Sequence, residues 1–421
     1  MWRKYLPSAQ GALQEIFMNT EAGLQVRPGH WRHPCKRKRN NPVNGLPSLD
    51  ARTARTTHYG LRRRDVLHAM ALTGAAGLAA CGGGNRGGVR AGEVGGADNG
   101  GGKPIVIDRR VKVSASPEVS LQVRDWQPPG STGSVIVLLA GLGGNARYFD
   151  SLAPALAARS RVIAISRRGY GLSDKPLPVK TATQYYEVET LVADLKAVLD
   201  ALGVQRAVLA GHSIAGNELT RFAGLHPERT QGLVYLDTTF DYTVEGDSEG
   251  ETVPDNRLLH EPRPTPDDGR SLQAAIAFFR RNSKNWWPAL EANLRDAIDI
   301  RTDGSVRLNT PDEVETAVDT AAHSFSPDYK AVRAPSLVVT ALPADNRDMF
   351  PWLELPLDAK TQKDAADYLR IFRRVAITNS NQLVAALDTP NRLTLDRASH
   401  GDFLMEREAE VLRAIQFMTW A

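Results

Sequence analysis

From residue 104 onward, short β-branched runs alternate with stretches in which apolar residues recur every three or four positions. The first pattern suits buried strands and the second amphipathic helices. Segments 105–107 and 119–123 predict two early strands. Segments 135–139, 161–165, 206–210, 232–236, 336–340 and 392–395 predict six more. Between them, Leu195, Val198, Leu199 and Leu202 share one helical face that stops at Gly203. Val411, Leu412, Ile415 and Met418 line up in the same way on a closing helix, 409–420. Strands apolar on both faces and separated by helices predict an α/β fold: a mostly parallel, eight-stranded sheet with helices on both faces.

Residues 240–330 break this rhythm. Pro254, Pro262, Pro264 and Pro266 punctuate a polar stretch, and helical patterns follow at 272–279, 286–298 and 312–322. So long a segment exceeds any ordinary connection, so a helical cap inserted between two strands is expected at about 240–330. Phe278, Phe279, Trp286 and Trp287 could shape an apolar pocket there or simply form the cap's core.

The first hundred residues are different in kind. Segment 1–60 has no sustained periodicity and carries the basic run Lys36, Arg37, Lys38, Arg39. It is expected to be an unstructured extension or the product of a start codon assigned too early. Segment 61–81 places Arg62, Arg63 and Arg64 before a mildly apolar stretch of about a dozen residues ending at Cys81, the layout of an export signal. Arg63-Arg64 is similar to a twin-arginine signal, although Arg62 stands where Ser or Thr is usual. Leu78-Ala79-Ala80-Cys81 resembles a bacterial lipobox, which implies lipid on Cys81 as the new N-terminus. A buried helix with a free core cysteine is the alternative. Segment 82–103 holds 11 glycines in its first 21 positions and is expected to be a flexible tether. The layout predicts export to the periplasm or cell surface, with a membrane tether at Cys81 and a folded domain over 104–421.

Composition narrows the class. At 42% hydrophobic and 24% charged residues the chain is neither collagen-like nor disordered overall. No apolar run reaches the roughly 18 residues of a membrane span, which excludes a polytopic membrane protein. A net charge of +4 and a pI near 9.0 would suggest nucleic acid. Residues 1–102, however, hold 15 Lys/Arg against 6 Asp/Glu, leaving 37 against 42 in the remainder. The basic excess therefore lies outside the expected domain, and a nucleic-acid partner is excluded. Cys35 and Cys81 cannot make a disulfide framework, and no Cys/His spacing suggests a metal site.

Three strand ends carry candidate chemistry. Gly211-His212-Ser213-Ile214-Ala215-Gly216 follows a predicted strand and precedes a helix. A serine hydroxyl needs a neighbouring base to become a nucleophile, and a sharp turn with small neighbours holds it clear of the sheet. Leu139-Ala140-Gly141-Leu142-Gly143-Gly144 follows the 135–139 strand, so the amides of Leu142 and Ile214 are candidates for an oxyanion hole. An ordinary glycine-rich turn is the alternative. No Walker lysine or GxGxxG supports phosphate binding. His400, after the last strand, is the histidine placed to serve Ser213 as base. Asp345, beyond the 336–340 strand, is the expected acid. Asp237, after the 232–236 strand, is the alternative, and Asp348 stands behind both.

Taken together, these motifs resemble the α/β-hydrolase superfamily over 104–421. The resemblance rests on the oxyanion turn, on Arg167-Arg168-Gly169-Tyr170-Gly171-Leu172-Ser173-Asp174, on the elbow and on the terminal His400-Gly401-Asp402-Phe403. It departs from the family at Ala140, where His is frequent, and at Ser166, where Asp is frequent. Asp345 also falls about one residue late, and 346–391 is longer than the usual connection. The resemblance implies a capped serine hydrolase acting on a small acyl substrate, most simply a carboxylic ester, without metal or organic cofactor. Epoxide-opening and halide-displacing relatives carry Asp at the elbow, so Ser213 argues against both. Peptidase or amidase chemistry, C–C bond hydrolysis by the same residues, and a non-catalytic binding protein of this fold remain open.

Overall fold

The computed structural model describes residues 104–128, 130, 133–244 and 251–420. The expected extension over 1–60, the expected export signal with its lipidated Cys81, and the expected glycine-rich tether lie outside the described residues. An eight-stranded sheet is built from β1 (Ile105–Ala115), β2 (Glu118–Gln127), β3 (Ile136–Leu139), β4 (Val162–Ile165), β5 (Ala207–His212), β6 (Thr230–Leu236), β9 (Ser336–Leu342) and β10 (Pro390–Asp396). Its order is β1-β2-β4-β3-β5-β6-β9-β10. β1 and β2 form an antiparallel hairpin at one edge, and β2 pairs antiparallel with β4. Every other pairing is parallel.

Consecutive residues of the central strands serve two different cores. Leu138, Ala210, Val234 and Val339 enter one cluster, closed by α10 (Glu408–Phe417) through Val411 and Ile415. Val137, Leu209, Leu233 and Val338 enter the other, against α2 (Val188–Ala201) and α3 (Ala215–Leu225) through Val192, Leu195, Leu219 and Phe222. Both faces are thus covered, which is why these strands are apolar at every position rather than every second one. Each of the buried Val, Leu, Ile and Phe side chains adds about 1.5–3 kcal/mol by leaving water.

Between β6 and β9 the chain leaves the sheet. This insertion contains α4 (Leu272–Arg281), α5 (Pro288–Asp296), the hairpin of β7 (Ile298–Ile300) and β8 (Val306–Leu308), and α6 (Asp312–His323). Strands of three residues are too short to show a period, so this hairpin leaves no signal in the sequence. α5 docks on the loop after β3: Asn293 accepts the Asn145 amide and receives its side-chain amide at its own carbonyl, both at 2.8 Å. The long connection 346–391 is explained by α8 (Ala359–Ala386), a 28-residue helix whose Tyr368, Ile371, Phe372 and Val375 pack into a third cluster with Ile214 and Tyr242. Among the described residues no helix is long and apolar enough to cross a membrane.

Candidate active site

β5 ends at His212, and Ser213 follows with φ = 54° before α3 begins. A left-handed conformation is unusual for serine and costs on the order of 1–3 kcal/mol. The surroundings enforce it. Ser213 N–H donates to the Leu236 carbonyl (3.1 Å), and the Thr238 hydroxyl donates to the Ser213 carbonyl (2.7 Å). A side chain at Gly211 would lie 2.8 Å from Leu219 and 2.9 Å from Ala215, so the turn tolerates none there.

The turn after β3 lies directly against this elbow. A Cβ on Gly141 would sit 3.0 Å from both the Ser213 Cβ and His212 Nδ1. Glycine therefore lets the backbone bearing Leu142 approach the serine. Arg167, at the end of β4, braces the arrangement: its guanidinium donates to the Ala140 carbonyl and pairs with Glu218 of α3 at 2.7 Å. Both side chains of this pair are about 95% or more buried, and burial pushes the Glu218 carboxyl up to about 7 against the pull of Arg167. Ser166 donates to Gln122 Oε1 (2.7 Å) and accepts the Ala146 amide (2.9 Å), which ties the end of β4 to β2 and to the turn after β3.

His400 lies on the turn between β10 and α9 (Phe403–Glu406). Its ring is tilted against that of His212, the residue before Ser213, with centroids 4.4 Å apart. Its Nδ1 meets Asp237 Oδ2 at 2.6 Å, and both side chains are over 90% buried. The other carboxylate oxygen of Asp237 accepts the Ala341 amide of β9 at 2.8 Å. A carboxylate at Nδ1 assigns the proton there and leaves Nε2 as the acceptor.

The expectation that Asp345 orients His400 does not hold. Asp345 caps the short helix α7 (Asn346–Met349), accepting the amides of Arg347 (2.9 Å) and Asp348 (3.1 Å). Its side chain is more than half exposed and lies 3.7 Å from Arg397. The reason is register. Leu236 pairs with both His212 and Val339, so Asp237 stands beside Ser213. Asp345 is six residues beyond Val339, roughly 20 Å of extended chain. Asp348 is also engaged elsewhere, accepting the Ala344 amide and pairing with Lys284 at 2.7 Å.

Three supporting residues were not singled out in the sequence for these contacts. His212 Nε2 meets the His400 carbonyl at 3.1 Å, and burial holds its imidazole neutral by lowering its pKa well below the usual range. Tyr148 stacks on His212 and donates to the Gly401 carbonyl at 2.9 Å. Tyr242 accepts the Thr239 amide at 3.3 Å, and its hydroxyl lies near the Ser213 side chain. Only the place of His212 beside the serine offered a signal. Among the described residues no group of three or more His, Cys, Asp or Glu could hold a metal.

Residues 134–257 match the profile of the alpha/beta hydrolase fold. The structure superposes on the crystal structure of E-2-(acetamidomethylene)succinate hydrolase with a TM-score of 0.53 and 21% identity, covering 74% of this chain and 98% of that one. The chain has the α/β-hydrolase fold. In sequence it is 38% identical over 114 residues to epoxide hydrolase B of Mycobacterium tuberculosis, covering 27% of this chain and 31% of that protein. It is 29% identical over 133 residues to 2-(acetamidomethylene)succinate hydrolase of Mesorhizobium japonicum, covering 32% and 43%. The chain thus spans about a third of the length of the first of these curated relatives. Within the α/β-hydrolase fold, Ser213 occupies the strand-to-helix elbow, and His400 and Asp237 follow the last strand and β6.

Proposed function

We propose that this protein is a serine hydrolase that cleaves a carboxylic ester of a small acyl substrate through an acyl-enzyme intermediate. The observation that carries the reading is the 2.6 Å contact of His400 with Asp237, beside a serine held at positive φ. Ser213 Oγ attacks the acyl carbon while His400 Nε2 takes its proton. The same proton then passes to the departing alkoxide. Asp237 keeps the proton of neutral His400 on Nδ1 and stabilises the imidazolium that forms. The amides of Leu142 and Ile214 receive the oxyanion, each worth about 3–4 kcal/mol in the transition state. Water, deprotonated by His400, releases the acid and restores Ser213. This chemistry calls for no metal or organic cofactor.

A serine at the elbow distinguishes this reading from epoxide opening, for which the superfamily carries aspartate there. Amide hydrolysis is the second reading, favoured by the sequence similarity to 2-(acetamidomethylene)succinate hydrolase of Mesorhizobium japonicum. We further propose that the chain is exported and anchored by lipid at Cys81, on the order of its signal-like, cysteine and glycine-rich segments. Stable anchoring takes more than one acyl chain.

The test is fluorophosphonate labelling of the purified chain, followed by a panel of p-nitrophenyl esters and anilides of increasing acyl length. Labelling at Ser213 with ester turnover is expected, and Ser213→Ala should lower kcat by about 10⁶. Faster anilide turnover would move the assignment to amides, and near-wild-type turnover by Ser213→Ala would sink the mechanism. Mass spectrometry of the membrane-extracted protein should find an N-terminus at Cys81 carrying lipid. An N-terminus that retains residues 1–80 would refute export.

A further inference from the structure

The imidazole of His400 is oriented by Asp237, but the turn that carries it is held by two further sets of contacts. The first set is the contacts of His212 and Tyr148 with the carbonyls of His400 and Gly401. The second set passes through Asp402, which is fully buried. The Ser399 hydroxyl donates to Asp402 Oδ1. Asp402 Oδ2 accepts from Trp287 Nε1 and Asn285 Nδ2, each at 3.3 Å. Trp287 and Asn285 belong to the insertion, more than a hundred residues away in the chain. Their neighbour Lys284 extends the same junction, meeting Glu406 at 2.6 Å and Asp348 at 2.7 Å. Trp287 also packs its ring on the apolar core beneath.

Three donors therefore converge on one buried carboxylate, two residues from the imidazole. A carboxylate accepts at both oxygens and donates at neither, so it suits all three at once. The site is costly to keep: burial pushes the Asp402 carboxyl up to about 6, even with Ser399 and Trp287 favouring the charged form. Ordinary packing of this turn would be served at lower cost by an apolar residue.

We infer that Asp402 is a positioning residue for His400, and that it makes the orientation of the imidazole depend on the insertion being seated through Trp287 and Asn285. With those donors in place the 399–402 turn is held and Nδ1 stays on Asp237. Without them the turn loses one of its two anchors, and the ring is free to leave the geometry that serves Ser213. The inference rests on the reading of His400 as the general base.

The test uses the full chain carrying Asp402→Asn or Trp287→Phe, with wild type and Ser213→Ala as references. The primary readout is the low-field proton resonance of the His400–Asp237 hydrogen bond, which Ser213→Ala should retain. The second is the rate constant of fluorophosphonate labelling, which does not depend on knowing the substrate. Where an ester is turned over, kcat and KM are separated. Asp402→Asn is expected to broaden or abolish the resonance and slow labelling about 100-fold. Trp287→Phe, which keeps the ring packing and removes one donor, should slow labelling about 10-fold and lower kcat with KM within twofold. If Asp402→Asn does not fold, Trp287→Phe decides alone. A wild-type resonance and labelling rate with only a lowered Tm would overturn the inference, as would a Trp287→Phe effect confined to KM. If wild type is not labelled at all, the hydrolase reading fails separately. The resonance then still decides whether Asp402 positions the ring.

Discussion

Two strand ends, after β6 and after β9, each offer an aspartate to His400, and only the first delivers it. At the end of β6, Asp237 follows a residue paired in register with both neighbouring strands, and its carboxylate is held between a backbone amide and the imidazole. At the end of β9, Asp345 lies three residues beyond the strand, and its carboxylate is spent on the first amides of a four-residue helix. The strand that could have supplied the acid instead supplies the Ala341 amide that orients the other one. An acidic residue beyond a strand is thus only a candidate. Its reach depends on how many residues separate it from the last paired position and on which amides claim it first.

The sharpest way to break this comparison is kinetic. Asp237→Asn should lower kcat by about 10⁴, as loss of the correct imidazole tautomer does elsewhere. Asp345→Asn should leave kcat within about threefold, because a neutral amide can still cap the helix. Steady-state kinetics of the two variants on one ester decides it, and a reversed order would return the acid to β9.

A second contrast concerns burial. The Asp345–Arg397 contact is exposed and screened, and such pairs are worth at most about 1 kcal/mol. The Arg167–Glu218 pair is desolvated on both sides. Arg167→Met should cost about 3–5 kcal/mol of stability, since Glu218 would be left without its counter-charge. Denaturant unfolding measures it, and a loss below about 1 kcal/mol would show that the brace under the oxyanion turn is dispensable.

Asp345→Ala separates a capping role from a catalytic one. Loss of the cap should cost about 1 kcal/mol while turnover per folded molecule is unchanged. Thermal unfolding and kcat measured on the same preparation check both halves of that expectation.

The last expectation concerns pH and another carboxyl group. Glu261 in the insertion is partly buried, and burial alone pushes its carboxyl up to about 8. The folded state then holds a proton that the unfolded chain has already released near its ordinary value of about 4.3. Its stabilising contribution is complete below that value and is lost as pH rises through about 8. Glu261→Gln should therefore match wild type near pH 4 and exceed its Tm by a few degrees at pH 8.5. Equal melting curves across that range would remove Glu261 as a source of pH dependence.

Much of this molecule was legible in the residue pattern because the relevant forces are local or periodic. The central strands β3, β4, β5, β6 and β9 are visible as apolar runs, since burial on both faces demands apolar side chains at nearly every position. In contrast β1, β2 and β10, at or next to the edges, show only short apolar stretches among polar residues. Ser213 stands out because a sharp strand-to-helix turn accepts only small neighbours, and Gly211 and Ala215 meet that demand within five residues. His400 stands out by its place after the last strand. The partner of His400 was not legible. Both aspartates follow strands that end near the serine in space, and the choice between them lies in the cross-strand register of β5, β6 and β9. The roles of Asp402, Trp287 and Tyr148 were hidden for the same reason. Hydrogen bonds between residues 115 and 253 positions apart leave no period in the sequence, and only the packed chain brings those donors and acceptors together.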